Sequence, residues 1–96
     1  MKTLEELKAI IQSHKSILEE KYKVRRIAVF GSYARGDQTE ESDIDIMVEF
    51  SEPIGLLFIH LADYLEEILG TKVDLITPEA IKPNRREYVL QDLNYV

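Results

Sequence analysis

Asp43 and Asp45 stand two residues apart in "DIDIMVEF", residues 43–50, where acidic and apolar residues alternate. In an extended strand that spacing sends both side chains off the same face, with Cα atoms roughly 6.6–7 Å apart. Two carboxylates that close repel each other, and one tends to keep a proton. A divalent cation removes the penalty. Oxygen ligands of this kind suit Mg²⁺ or Mn²⁺, and a chain with no cysteine and two histidines offers little to zinc. A third acid, Asp74, sits inside the short apolar run "KVDLIT", residues 72–77, where an unpartnered carboxylate is costly. If that run lies beside the first, three carboxylates share one face and can hold two metal ions. Gly31 and Ser32 follow another apolar run and open a segment able to make one helical turn. Glycine admits close backbone approach, and free N–H groups with a serine hydroxyl can cradle a phosphate. A phosphate cradle facing a metal site is what nucleotidyl transfer needs.

The elements that must position these groups are legible around them. Thr3 and Glu6 form a capping box, and Leu4, Leu7, Ile10, Ile11, Ile17 and Leu18 recur at helical spacing, which predicts one helix through about residue 21. Residues 23–30, "KVRRIAVF", are β-branched and aromatic and stop at Gly31, which predicts a strand. A polar loop, "DQTEES", leads to the second strand, residues 43–50, with Asp43, Asp45, Met47 and Glu49 on one face and Ile44, Ile46, Val48 and Phe50 on the other. A helix is expected from about Ile54 to Leu69, closed by Gly70, and a third strand over 72–77. Thr77-Pro78-Glu79 reads as an N-cap with proline at the first helical position, and a last helix is expected from Asn84 to about Leu93. The order predicts an α/β (α+β) fold: a small mixed sheet of at least three strands packed with helices, formed by residues 1–96 as one domain.

Composition bounds the function. The 96 residues are 45 % apolar and 31 % charged, which fits a folded globular chain. The net charge of −6 argues against a large nucleic-acid footprint, though not against a small anionic substrate held by local cations or metal ions. No stretch approaches the ~20 apolar residues of a membrane span, and "MKTLEELKAI" lacks the apolar run of a signal peptide. A cytoplasmic protein is the expectation.

Gly31-Ser32, ten residues, then Asp43-Ile44-Asp45 resembles the G-S-x10-D-x-D signature of the DNA polymerase β-like nucleotidyltransferase superfamily. The longer string "GSYARGDQTEESDIDIMVEF" resembles the minimal nucleotidyltransferases, and the likeness runs from the first helix through the last strand. It implies the nucleotidyltransferase fold and a set of roles. Gly31 and Ser32 would contact the nucleotide phosphates. Asp43 and Asp45 would bind both Mg²⁺ ions. Asp74 would bind the ion nearest the attacking hydroxyl and help draw off its proton. Arg35, within the G-S-x-A-R-G string, would support the phosphates. Many minimal nucleotidyltransferases are antitoxins that transfer AMP from ATP to a tyrosine of a HEPN-domain ribonuclease toxin. The resemblance therefore implies ATP as substrate and a HEPN-family toxin as partner.

Two other functions stay open at the level of sequence. One is a non-enzymatic module that neutralises its partner by contact; the other is nucleotidyl transfer to a small molecule or an RNA end. Oligomeric state and base preference are also open. His14 and His60 read as surface or packing residues. Arg25, Arg26, Arg85 and Arg86 read as solubility groups, with a patch for nucleotide or an acidic partner as the alternative. Leu56 and Ile59 lie off the apolar stripe of their helix and could extend a partner interface.

Overall fold

The computed structural model describes residues 1–96. Helices α1 (Leu4–Ser13) and α2 (Lys15–Glu20) precede strand β1 (Val24–Phe30). A short helix α3 (Ser32–Arg35) leads to β2 (Ile44–Phe50), α4 (Leu57–Leu69) and β3 (Val73–Ile76). A 3₁₀ turn (Pro78–Ala80), helix α5 (Pro83–Asp92) and strand β4 (Asn94–Tyr95) complete the chain. The sheet order is β3-β2-β1-β4. The short α3 link makes β1 and β2 antiparallel, whereas the α4 crossover makes β2 and β3 parallel. The fold is thus the mixed α/β arrangement that the element order predicts.

Local chemistry explains most boundaries. The Glu6 N–H donates to Thr3 Oγ1 at 3.2 Å and the Thr3 N–H to Glu6 Oε1 at 3.0 Å, so the capping box forms. At the far end of α4, Gly70 adopts φ +70° and its N–H donates to the Glu66 carbonyl at 2.8 Å. The Glu66 side chain then accepts from the Val73 N–H at 2.9 Å, tying the helix end to the start of β3.

The two sheet faces bury different clusters. Ile44, Ile46 and Val48 are fully buried against Leu7, Ile11 and Leu18 from the N-terminal helices and Leu61, Leu65 and Leu69 of α4. The opposite face carries a smaller cluster, Phe30, Met47, Ile81 and Val89, under the 3₁₀ turn and α5. Cross-strand register aligns Phe30, Asp45 and Asp74 in one row on that second face, with Ala28, Met47 and Ile76 in the next.

Some expectations require correction. The first helix is two: the Ser13 hydroxyl donates to the Ile10 carbonyl at 2.7 Å and His14 Nδ1 lies 2.9 Å from the same oxygen. That competition for a backbone acceptor breaks the helix at His14. The helix expected from Ile54 begins at Leu57, because Gly55 sits at φ +56° and residues 54–56 form a turn instead. Thr77-Pro78-Glu79 opens only a three-residue 3₁₀ turn, without a side-chain cap. Lys82, preceding Pro83, is held extended, and α5 starts at the proline. Finally, β4 adds a fourth strand on β1, and the Val96 N–H donates to the Ile27 carbonyl at 2.9 Å.

Candidate active site at the junction of β1, β2 and α5

The site begins where β1 ends. Gly31 turns the chain at φ +74° and ψ −151°. A Cβ at this position would collide with Asp45 Oδ2 and lie 3.0 Å from Asp45 Cγ. Both the backbone angle and the close approach of the carboxylate therefore require glycine. Ser32 opens α3, where the Arg35 N–H donates to the Gly31 carbonyl at 3.0 Å and the Gly36 N–H to the Ser32 carbonyl at 2.9 Å. Buried Tyr33 anchors this turn in the main core. The first N–H groups of such a turn have no partner within it.

Asp45 is half-buried between Phe30 on one side and Asp74 on the other. Its carboxyl is pushed up to about 6, first by burial, then by the negative charges of Asp74 and Asp43. Arg85 and Arg35 oppose the shift. Asp43, one residue ahead of β2, and Asp74, within β3, are exposed. The Ile44 N–H donates to the Lys72 carbonyl at 2.9 Å, which fixes the two strands at the level of the acids.

The three acids share a face, but no cluster of three or more acidic or histidine side chains is already gathered tightly enough to grip an ion. In this respect the convergence expected from spacing is incomplete. The donor set nevertheless suits a hard divalent cation: oxygen ligands only, two of them directly cross-strand, and a repulsion at Asp45, only partly offset by Arg85 and Arg35, that further positive charge relieves.

A cavity of about 210 Å³ lies over Gly31, Ser32 and Asp45. Its other wall is α5, through Arg85, Tyr88 and Asp92. Arg35 also lines it, but its guanidinium is already engaged, 3.1 Å from Asp37 and 2.7 Å from Asp92. Arg35 therefore clasps α3 to α5 as well as facing the cavity. Hydrogen bonds donated to Asp37 and then to Asp92 raise its already high basicity. A smaller cavity of about 100 Å³ adjoins Asp74 and shares Phe30, Arg85 and Val89 with the first.

The contribution of α5 is what sequence reasoning missed. Of the four arginines held together as an undifferentiated group, Arg25 and Arg26 pair with Glu49 at 3.2 and 3.0 Å, and Arg26 donates to the Tyr95 hydroxyl at 2.7 Å. They belong to the far end of the strands. Arg85 lines both cavities and forms no ion pair within the chain. Its only sequence signal is position, eleven residues after Asp74 in a segment that returns to the sheet.

The chain has relatives among known proteins. The family model for the nucleotidyltransferase domain matches residues 11–96. A Methanocaldococcus jannaschii relative, named provisionally as a protein adenylyltransferase, is 58 % identical across 100 % of both chains. Protein adenylyltransferase MntA of Thermococcus cleftensis is 47 % identical over 97 residues, covering 100 % of this chain and 98 % of its own. A solved structure described provisionally as a minimal nucleotidyltransferase superposes with a TM-score of 0.79 at 36 % identity, covering 97 % of this chain and 95 % of the other. A toxin–antitoxin crystal structure with AMP-PNP gives a TM-score of 0.70 at 27 % identity, covering 93 % and 70 % of the respective chains.

Proposed function

The chain belongs to the nucleotidyltransferase domain family, and from that premise we propose that it transfers AMP from ATP to a tyrosine hydroxyl of a partner protein. The partner is a HEPN-family toxin, and this chain is its antitoxin. The observation that carries the proposal is the pairing of Asp45 with Asp74 across two strands, with Gly31 laid against the Asp45 carboxylate. Relatives named as protein adenylyltransferases and the likeness to a toxin–antitoxin structure with an ATP analogue support the acceptor class and the donor. The setting that this reading expects is the cytoplasm. No helix is long and apolar enough to cross a membrane.

In the proposed reaction, the phenolic oxygen attacks the α-phosphorus of ATP. An O–P bond forms to the tyrosine, the α–β bridging P–O bond breaks, and pyrophosphate leaves with that electron pair. The phenol proton passes to Asp74. Asp43, Asp45 and Asp74 would hold Mg²⁺ or Mn²⁺, which when bound neutralises phosphate charge and makes the attacking hydroxyl more acidic. The chain's own residues do the rest. Gly31 and Ser32 seat the phosphates against the end of β1. Arg85 supplies positive charge over the Asp45 row, where charge develops on the phosphoryl oxygens. Arg35 holds α5 over the site through Asp92.

Incubation with the partner and ATP labelled at the α- or the γ-phosphate tests the proposal. Label is expected on the partner from α-labelled ATP only, and Asp45→Asn is expected to abolish it. If the Asp45→Asn protein still silences the partner in cells, contact binding replaces catalysis as the function.

A further inference from the structure

The wall that α5 lends to the larger cavity carries one group that neither the phosphates nor the acids call for. Arg85, Tyr88 and Asp92 recur at helical spacing, so one face of α5 looks onto the cavity over Gly31, Ser32 and Asp45. Arg85 supplies charge, and Asp92 holds Arg35 at 2.7 Å. Tyr88 lies between them with 71 % of its surface exposed. We infer that Tyr88 is the platform on which the base of the bound nucleotide stacks. The inference rests on the adenylyl-transfer reading above and deepens it, by adding the contact that holds the nucleoside end of the donor.

Three observations converge on this role. The first is that the ring is unengaged. Of the five tyrosines, Tyr22 and Tyr33 are buried, and Tyr64 packs against Tyr22 and His14. Tyr95 lies under Arg26, whose guanidinium sits 4.5 Å from the ring centre and donates to the hydroxyl at 2.7 Å. Tyr88, by contrast, stands exposed with no other ring and no cation over it. The second is size. At about 210 Å³ the cavity is smaller than the ~300–1,000 Å³ of pockets that enclose a drug-sized ligand, so the phosphates fill it and the nucleoside lies at its mouth, where Tyr88 is. The third is charge and spacing. Asp92 and Arg35 satisfy each other at the far end of the α5 face, which leaves Arg85 as the cation open to phosphate. Tyr88 is three residues from Arg85, about 4.5 Å of helix rise. An uncharged base, one ribose away from the α-phosphate, therefore meets the ring without leaving that face. Stacking uses the face of a base and not its edge, so Tyr88 adds affinity without selecting adenine over guanine.

Binding measurements on the 96-residue protein with Mg²⁺ test the platform without turnover. Tyr88→Ala is expected to raise the Kd for AMP-PNP and for GMP-PNP by similar factors, about 5- to 150-fold, whereas Tyr88→Phe keeps the ring and should stay within about twofold of the unaltered protein. The Kd for inorganic tripolyphosphate, which has no base, should be unmoved in both variants. At saturation, the triphosphate of 2-aminopurine riboside should be quenched by the unaltered protein and by Tyr88→Phe, but not by Tyr88→Ala. The platform is overturned if Tyr88→Ala binds AMP-PNP as the unaltered protein does, if Tyr88→Phe weakens as much as Tyr88→Ala, if tripolyphosphate binding falls in parallel, or if the quenching survives Tyr88→Ala. It is also overturned if only the partner's KM rises, because Tyr88 would then be a docking residue. The expected binding pattern in a protein that transfers no AMP would uphold the platform and overturn the reaction.

Discussion

The two faces of one sheet have been put to opposite uses. On the face toward α1, α2 and α4, the side chains of Ile44, Ile46 and Val48 are excluded from water completely, as are Leu7, Ile11, Leu61, Leu65 and Leu69 opposite them. On the other face the same strand carries Asp45 and Glu49 around Met47, and only Phe30, Ile81 and Val89 complete the buried cluster. A period of two residues makes this division possible, because neighbouring positions answer to different surroundings. The first face supplies cohesion by burying apolar area. The second tolerates a carboxyl held near 6, an unfavourable charge arrangement that the first face must outweigh.

The comparison is broken most severely by Asp45→Asn. AMP transfer to the partner is expected to fall at least about 10²–10³-fold, while the melting temperature at pH 7 holds or rises, since the substitution removes a repelled, half-buried charge. A fall in stability of the metal-free protein would show that Asp45 serves the fold as well. Leu61→Ala makes the opposite cut. It should cost about 2–5 kcal/mol in denaturant melts, with the transfer rate per folded molecule unchanged at low temperature.

Gly31→Ala tests the seam between the faces. Strain at φ +74° and the collision with Asp45 should cost about 1–3 kcal/mol, and transfer should drop along with it. A smaller effect is expected from pH. A carboxyl raised from 3.8 to about 6 in the folded state makes folding take up a proton between those values. Its contribution to stability therefore declines as pH rises through that window and is fully unfavourable above it. Melts of the metal-free protein from pH 4 to pH 7 should show this decline, and Asp45→Asn should remove it. Arg35→Ala is expected to do least to stability, since its ion pairs are exposed. Its signature would be a modest rise in the Kd for AMP-PNP as α5 loosens.

Much of the candidate site is legible in the sequence because its parts lie on or beside strands with strong alternation. Gly31, Ser32, Asp43 and Asp45 are flanked by residues whose burial the pattern dictates, and Asp74 interrupts an apolar run. What stayed hidden depends on contacts distant in sequence. Helix α5 is polar, "PNRREYVLQD", with only Val89 buried, so no apolar stripe announces which way it faces. That Arg85 and not Arg25 or Arg26 stands over the acids follows from the sheet register and the return of the chain after Pro83. The break at His14 arises from two side chains competing for one carbonyl, and β4 is two residues long, too short for any periodicity. The incomplete gathering of the acids is a matter of side-chain placement that spacing along a strand does not determine.

The contact between Gly31 and Asp45 also makes two positions, fourteen residues apart, behave as a single unit of inheritance. With aspartate at 45, the alphabet permitted at 31 shrinks to one letter, because any larger residue meets the carboxylate. Shortening position 45 to alanine removes the obstacle but not the unusual backbone angle. In a double-mutant cycle Gly31→Ala should therefore cost less beside Asp45→Ala than alone. Loss of the acid would thus relieve the collision at position 31, while the left-handed backbone angle would still favour glycine there.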